Sequence, residues 1–279
     1  KSFLNFHLYE FNLYLARYTI APIILIRLLF CKTIYIYMSF NDKVVLVTGA
    51  SSGIGAAIAI KFAEEGAKVA LVGRNQDKLN NVASKCGKPL VIVADVTKDA
   101  DCKRIVNETT AFFGQLDVLI NNAGIGNTAS LFAENTMEVF DDVISTNLRS
   151  VVCLTTLAAP HLVQTKGNIV NMSSVAGSRV ISSRAFAYCA SKAAVDHFTR
   201  AAALELAASG VRVNSVNPGP VKTDIVENTG ANEAHQAFIW DMMKKATVLD
   251  RISEPEEVAD VVLFSKRLHT VVLYQINYS

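Results

Sequence analysis

The chain has 279 residues, of which 51% are hydrophobic and 19% are charged. This length fits one large α/β domain, and the apolar content excludes an intrinsically disordered chain. The net charge of +2 and the absence of any long basic run argue against a nucleic-acid partner. The five cysteines and five histidines are scattered singly, which predicts free thiols in a reducing compartment, a cytoplasmic location and no metal site.

The first 37 residues differ in composition from the rest of the chain. The longest uncharged run in their richest apolar stretch, Tyr18–Ile26, is far shorter than the ~20 residues that span a membrane. Arg27 and Lys32 interrupt the apolar residues after this run, and charges are costly at the centre of a span. We expect Met38 to be the natural start and residues 1–37 to be an upstream extension outside the fold. A membrane-associating anchor is the alternative.

From Lys43 onward, short apolar runs alternate with amphipathic segments of helical length. This alternation predicts an α/β fold: a single Rossmann-type, doubly wound parallel sheet with helices on both faces, over residues 38–264. The predicted strands are 43–48, 68–72, 90–94, 116–120, 168–172 and 211–216. The predicted helices are 55–65, 76–85, 99–113, 137–156 and 186–208.

A glycine-rich loop joins the first predicted strand to the first predicted helix. Glycines at such a turn let the backbone approach a pyrophosphate, and the helix N-terminus offers unpaired N–H groups. Its position between a strand and a helix is the context that makes this motif informative. We therefore expect a dinucleotide to bind at Gly49, Ser51, Ser52, Gly53, Ile54 and Gly55.

The corner after the second strand reads Gly73-Arg74-Asn75 and has no acidic residue. Proteins with this fold that bind NAD usually place Asp or Glu there to hold the ribose 2′-hydroxyl. A guanidinium suits a phosphate better than a hydroxyl, so Arg74 favours NADP(H), with NAD(H) still possible. The alternative is that Arg74 is a solvated side chain over the adenine.

Two further strand ends should line the same cofactor. Asp95 and Val96 close the third strand, where they can reach the adenine edge. Asn122, Ala123 and Gly124 close the fourth strand, where small residues let the cofactor pass close to the backbone. All these corners lie at carboxyl ends of strands, which is where this fold binds its ligands.

Tyr188 and Lys192 are four residues apart near the start of a predicted helix and therefore share a face. A tyrosine hydroxyl has a pKa of about 10, and a neighbouring ammonium group lowers it by stabilising the phenolate. Tyr188 can then act as a general acid or base on a carbonyl–alcohol pair. Ser173 and Ser174 end the preceding strand, and Ser174 is the better placed to bond the substrate oxygen. The Tyr-x-x-x-Lys spacing alone is common by chance, and its position after the dinucleotide-binding half gives it weight.

Together these motifs resemble the short-chain dehydrogenase/reductase family, in the family's order, over residues 40–264. The look is closest to shorter-subunit carbonyl reductases of the 3-oxoacyl-[acyl-carrier-protein] reductase type. The motifs that carry the resemblance are Thr48-Gly-x-x-x-Gly-x-Gly55, Asn121-Asn-Ala-Gly124, Asn147, Ser174, Tyr188-x-x-x-Lys192 and Pro218-Gly-Pro-Val-x-Thr223.

The resemblance implies a role for each of these residues. Ser174 would orient the substrate and Tyr188 would donate the proton. Lys192 would lower the pKa of the tyrosine and hold the nicotinamide ribose, and Asn147 would anchor a water of the proton relay. On the nicotinamide side, the family's cofactor contacts would fall on Tyr188, Lys192, Pro218, Gly219, Val221 and Thr223.

The C-terminal tail, residues 265–279, departs from the family pattern because it lacks the usual Thr-Gly loop and acidic-glycine ending. Residues 271–276 are rich in β-branched and aromatic residues and could still form an edge strand. In the family this tail packs against a neighbouring subunit, so the homo-oligomer that the resemblance implies becomes doubtful. A replaced tail also keeps open an inactive, splice-type variant that acts at most as a binding protein. A second alternative is an NAD-dependent alcohol dehydrogenase.

The segment between Asp224 and Asp250 bears on the substrate. It carries apolar residues such as Ile225, Phe238 and Met242, and in the family it forms a movable lid. Such residues line either the core or the substrate pocket. If they line the pocket, they predict a small hydrophobic carbonyl or alcohol substrate rather than a sugar.

Overall fold

The computed structural model describes residues 40–226 and 232–265 and the backbone of residues 272–274. In this part of the chain, seven strands form one parallel sheet in the order β3-β2-β1-β4-β5-β6-β7. The strands are β1 (Val44–Thr48), β2 (Lys68–Gly73), β3 (Leu90–Val93), β4 (Val118–Asn121), β5 (Asn168–Met172), β6 (Arg212–Asn217) and β7 (Val272–Tyr274).

Helices connect the strands and cover both faces of the sheet, so the predicted doubly wound Rossmann-type fold is confirmed. Parallel strands need such crossover connections, since a tight turn cannot return the chain to the same end of the sheet. The helices are α1 (Gly53–Glu64), α2 (Gln76–Ala83), α3 (Asp99–Phe113), α4 (Thr136–Ile144), α5 (Ser150–Thr165), α6 (Phe186–Leu206), α7 (Glu233–Lys245) and α8 (Pro255–Ser265).

The sheet order reverses direction between β1 and β4, which are hydrogen-bonded neighbours although two strands separate them in sequence. Connections leave to opposite sides at such a switch point, and a crevice opens outside the carboxyl ends of the strands. The registers Val47 to Ile120 and Asn121 to Asn171 bring the ends of β1, β4 and β5 to one edge. The fold therefore gathers the predicted motifs at this edge.

One large apolar cluster fills the space between the sheet and the helices α3, α5 and α6. Leu46, Leu119 and Val213 from the strands pack there with Ile105 and Leu154 from the helices, and all five are fully buried or nearly so. β1 is buried along its whole length. This burial on both faces explains why its sequence is continuously apolar rather than alternating.

The helix predicted over 137–156 differs from the observed one in two ways. A π-helical turn at Ser145–Arg149 divides it into α4 and α5. The second part runs past Pro160 to Thr165 and stops where Lys166 adopts a left-handed conformation, with φ of 49°. The missed turn contains Asn147, so the local departure from regular geometry coincides with a predicted site residue.

Some predictions fall outside the described residues: those for 1–37, and for the parts of the tail at 266–271 and 275–279. The possible edge strand is present as β7, whose backbone pairs with β6 from Ser215 to Asn217. The boundaries of the 38–264 domain stay a prediction. Within the described ranges, no helix is long and apolar enough to cross a membrane.

A row of buried polar side chains connects β4, β5 and α6 near the carboxyl ends of the strands. The side-chain amide of Asn121 donates to Asn171 Oδ1 at 2.9 Å, and the amide of Asn171 donates to Thr199 Oγ1 at 2.9 Å. Thr199 is fully buried and its hydroxyl donates to the carbonyl of Val195 at 2.7 Å. Buried polar groups are retained at little cost only while each has its partner.

We expect Thr199→Val to lower the free energy of unfolding by about 1–3 kcal/mol, because it leaves the buried Asn171 amide without its acceptor. Thr110→Val in α3 is the matched control, since the Thr110 hydroxyl bonds only backbone carbonyls of its own helix. Urea unfolding of both variants measures the difference. Equal stability of the two variants would contradict the role given to the row.

Candidate active site

The glycine loop between β1 and α1 needs glycine at two positions, one for its backbone conformation and one for lack of space. Gly49 has a φ of +64°, a conformation that glycine adopts without strain. A Cβ atom at Gly55 would lie 2.2 Å from the carbonyl oxygen of Gly49, so no side chain fits where α1 begins. The loop is thereby held close to the N-terminus of α1, where unpaired N–H groups favour an anion. This cradle fits the pyrophosphate of a dinucleotide.

Side chains join this loop to the end of β4. The hydroxyl of Thr48 accepts from the backbone N–H groups of Asn122 and Ala123 at 3.0 and 3.1 Å. The side-chain amide of Asn122 donates in turn to the Thr48 carbonyl at 2.9 Å. These bonds fix the two loops that flank the switch point, and they place Asn122 and Ala123 beside the cradle.

The corner after β2 holds Arg74 on the surface, near Asp95 at the end of β3. Although partial burial opposes it, hydrogen bonds from Thr97 and the charge of Arg74 lower the pKa of Asp95. Asn75 has another use, because its side chain accepts from the N–H of Lys78 at 2.9 Å and caps α2. The side chain of Val96 lies in the core, and its carbonyl accepts from the Cys102 thiol at 3.2 Å.

The π-helical turn positions Asn147, which is 1% exposed. Its Oδ1 accepts from the N–H of Ile125 at 2.8 Å, and its amide donates to the Ile125 carbonyl at 2.9 Å. The amide also donates to the Ser191 hydroxyl at 3.2 Å, and that hydroxyl donates to the carbonyl of Tyr188. Asn147 therefore links the loop after β4 to the first turns of α6.

Lys192 is buried beside Tyr188. Its Nζ lies 5.6 Å from the centroid of the Tyr188 ring and donates to the Met172 carbonyl at the end of β5, at 2.7 Å. A Cβ added to Gly124 would lie 3.6 Å from Nζ and 3.3 Å from Asn147 Oδ1. Burial lowers the pKa of Lys192 to about 8, and the charge of Asp196 acts in the opposite direction.

Ser174 follows β5 and lies close to the same group. Its hydroxyl accepts from the N–H of Ala176 at 3.1 Å and caps a short 3₁₀ turn. Ala176 packs with Ala185 and Cys189, and the Tyr188 ring packs against them. The structure thus brings Ser174, Tyr188, Lys192, Asn147 and Gly124 together on the β4–β5 side of the crevice. Arg74, Asn75 and Asp95 stand apart on the β2–β3 side.

The loop after β6 reaches back to the glycine loop. The Thr223 side chain packs against Gly53, where a Cβ would lie 2.9 Å from Thr223 Cγ2. Asp224 forms an ion pair with Lys78 at 2.7 Å, and this pair together with a hydrogen bond from Ser52 lowers the pKa of Asp224.

The remaining predicted contacts of this region lie on the loops that have just been described. A Cβ at Gly73 would meet Ser51 at 3.3 Å. The Pro218 carbonyl accepts from Val175, Val221 is buried and bridges to Ser253, and Gly219 and Ile54 are partly buried.

Sequence reasoning missed four residues of this region. Lys78 and Asp224 are too far apart in sequence to be paired by spacing. Asp196 carried a usable signal, because it follows Lys192 by four residues on the same helix and shares its face. Asn217 immediately precedes the Pro218 motif, but nothing in the sequence shows that its amide binds Asp196.

Comparisons with known proteins identify the family of this chain. The family model described as short chain dehydrogenase matches residues 43–234. An L-fucose dehydrogenase of Mus musculus is 36% identical over 225 residues, covering 81% of this chain and 82% of that protein. A meso-2,3-butanediol dehydrogenase of Serratia marcescens is 38% identical over 229 residues, covering 81% of this chain and 88% of that protein.

Solved structures with a similar fold come from the same family. A short-chain dehydrogenase/reductase of unknown function from Caenorhabditis elegans, solved with cofactor, superposes with a TM-score of 0.78 and is 32% identical. The match covers 84% of this chain and 94% of that one. Levodione reductase gives a TM-score of 0.77 at 32% identity, over 85% and 97% of the two chains. The chain belongs to the short-chain dehydrogenase/reductase family and is an oxidoreductase that acts on CH–OH groups.

Proposed function

We propose that this protein is an NADP(H)-dependent oxidoreductase that interconverts a hydrophobic carbonyl compound and its alcohol. The observation that carries the proposal is the buried Lys192 ammonium beside the Tyr188 ring, at the same sheet edge as a glycine cradle that fits a dinucleotide. The Tyr188–Lys192 pair transfers the proton, and the glycine cradle holds the cofactor.

The residues present fit a nicotinamide dinucleotide along the whole edge. The loop from Gly49 to Gly55 would hold the pyrophosphate, and Arg74, Asn75 and Asp95 would line the adenosine end. Lys192 and Thr223 would lie toward the nicotinamide end. When bound, the cofactor supplies or accepts the hydride, which leaves the proton to the side chains.

Tyr188 is the general acid or base in this proposal. In reduction its hydroxyl gives a proton to the carbonyl oxygen, and in oxidation its phenolate takes the proton of the alcohol. The Lys192 ammonium stabilises that phenolate through its charge, and the effect is larger than in water because Lys192 is buried. Ser174 orients the substrate oxygen. Asn147, held by Ile125 and Ser191, keeps the approach to Lys192 in place for the proton relay.

Arg74 supports NADP(H) over NAD(H). It stands at the end of β2, where it is exposed to solvent and near Asp95. No carboxylate stands at positions 73 to 75 to accept from a ribose 2′-hydroxyl. A guanidinium fork can bind a 2′-phosphate with two parallel hydrogen bonds.

The segment after β6 supports a hydrophobic substrate. None of the residues of α7 is buried, and Phe238 and Met242 are 57% and 55% exposed, so these apolar residues are not core. Ile225 lies against Gly126 in the loop after β4, two residues beyond the Gly124 that borders Lys192. An apolar substrate gains about 25 cal/mol per Å² that it buries against such residues. The relatives named for a sugar and a diol show that the family framework also serves polar substrates.

The homo-oligomer and the cytoplasmic location stay predictions.

We expect Tyr188→Phe to reduce carbonyl turnover by about 10²–10⁴-fold, because the hydroxyl acts on the alkoxide that develops in the transition state. NADPH binding should change little, since that interaction does not exist in the cofactor complex. Steady-state kinetics and a fluorescence titration with NADPH measure the two effects. Turnover within tenfold of the parent would remove Tyr188 from this role.

We expect Arg74→Asp to weaken NADPH binding and to favour NADH relative to it, because a carboxylate repels the 2′-phosphate and accepts from a hydroxyl. The matched control is Lys88→Asp, which makes the same change of charge at an exposed position before β3, at the amino-terminal end of the strands and away from the cofactor crevice. The ratio of kcat/KM for the two cofactors is measured. A parent enzyme that already prefers NADH would show that the inference from Arg74 is wrong.

We expect medium-chain, terpenoid or steroid carbonyls to be better substrates than small sugars. Phe238→Ser should raise the KM of the preferred substrate on the order of tenfold, the equivalent of roughly 50 Å² of lost apolar contact. Leu204→Ser is the control, since Leu204 is also exposed but lies on α6 near its C-terminal end. The proposal fails if sugars turn over best.

A further inference from the structure

Three polar side chains follow one another along the buried face of α6. Tyr188, Lys192 and Asp196 are spaced by four residues, so they lie one helical turn apart on the same side. Lys192 and Asp196 are only 5% and 4% exposed. The proposed mechanism uses the first two and leaves the buried carboxylate of Asp196 without a function.

The contacts of Asp196 show that the carboxylate is held in place by β6. The side-chain amide of Asn217 donates to both carboxylate oxygens, at 3.0 and 2.8 Å. The same amide lies 3.2 Å from the Ser174 carbonyl, and the Asn217 Oδ1 accepts from the Ser215 hydroxyl at 3.2 Å. Gly177 packs so closely that a Cβ there would lie 2.7 Å from Asp196 Oδ2. The carboxylate therefore cannot easily turn away from the helix face that it shares with Lys192.

Two opposing effects act on the charge of Lys192. Burial favours the neutral amine, because transferring an ammonium group out of water is costly. The Asp196 carboxylate favours the ammonium form. Within the described residues, the other groups that approach Nζ from neighbouring elements are the Met172 carbonyl, Asn147 and the Gly124 backbone, which are uncharged. Tyr188 and Asp196 are thus the titratable groups that face it.

We propose that Asp196, oriented by Asn217, is a positioning residue of the active site that keeps Lys192 protonated and so directs proton loss to the Tyr188 hydroxyl. The proposal rests on the proposed function and deepens it. As the pH rises, the Tyr188–Lys192 pair loses one proton. If the tyrosine loses it, the pair is phenolate and ammonium and holds a base. If the lysine loses it, the pair is phenol and amine and holds none.

Removing the carboxylate should therefore change the pKa of Lys192 in a known direction. In Asp196→Asn the side chain keeps its size and can still accept from Asn217, but the pKa of Lys192 falls because burial acts unopposed. The amine form then dominates at a lower pH, and the Tyr188 phenolate loses the cation that stabilises it. Alcohol oxidation needs the phenolate and should suffer more than carbonyl reduction, which needs the protonated phenol.

The experiment compares the parent with Asp196→Asn in two measurements. The first is kcat as a function of pH in both directions, with NADP⁺ and alcohol or with NADPH and carbonyl. The second is an ultraviolet titration of phenolate in the cofactor-free protein, with the signal of Tyr188 isolated by subtracting Tyr188→Phe. We expect the Tyr188 phenolate to form at least one pH unit higher in the variant. Oxidation near neutral pH should fall at least tenfold, and reduction should fall less.

Thr199→Val is the control for loss of a buried polar contact on the same helix, and it should leave both pH dependences as in the parent. If Asp196→Asn does not fold, Asp196→Ala is combined with Asn217→Ala. The double variant removes the carboxylate together with its hydrogen-bond donor, so neither group stays buried without the other. Unchanged titration and unchanged direction dependence in a folded variant would overturn the proposal. If Tyr188→Phe itself stays active, the proposed function fails instead.

Discussion

A buried ammonium group sets the constraint on which this site depends. Lys192 is enclosed by the end of β5, the π-helical turn and its own helix, and its charge is tolerated only while acceptors and a counter-charge are in place. The Met172 carbonyl fixes where the charge lies, and Asp196 supports it from one turn below. The carbonyl belongs to the backbone at a strand end, so the position of the charge follows directly from the sheet.

Specific polar bonds also hold the loops around the crevice. Short side-chain bonds join segments that are far apart in sequence: Thr48 with Asn122, Asn147 with Ile125, and Lys78 with Asp224. The first and third bonds connect segments from different strand ends, and the second closes the connection between β4 and β5 on itself. The sheet brings these loops to a common edge, and the bonds determine how far apart they stay. Cofactor and substrate would therefore meet a largely preformed surface, which lowers the entropy cost of binding.

The fold was predictable from the sequence because it depends on local patterns, and so was the grouping of the candidate site residues at the carboxyl ends of the strands. The apolar run of β1 and the glycines that follow it report burial and close approach directly, and the Tyr188–Lys192 spacing reports a shared helix face. Contacts that depend on tertiary geometry were not predictable. No spacing reveals that Asn217 donates to Asp196, or that the Asn75 side chain caps α2. The π-helical turn was missed because its residues continue a helical pattern without proline or glycine.

That turn has a consequence for how the family can change over time. A π-helical turn contains one more residue per hydrogen-bonded ring than an α-helix, so it is equivalent to a single inserted residue. Losing one residue between Ser145 and Arg149 would restore a regular helix and leave the two flanks in nearly the same relative orientation, because the π-helical turn absorbs the extra residue. The local widening that holds Asn147 opposite Ile125 and Ser191 would be lost, while the motifs on either side of the turn would keep their orientation. The segment is therefore more sensitive to a change of length than to many changes of side chain, and an alignment gap here would identify relatives that have lost this support.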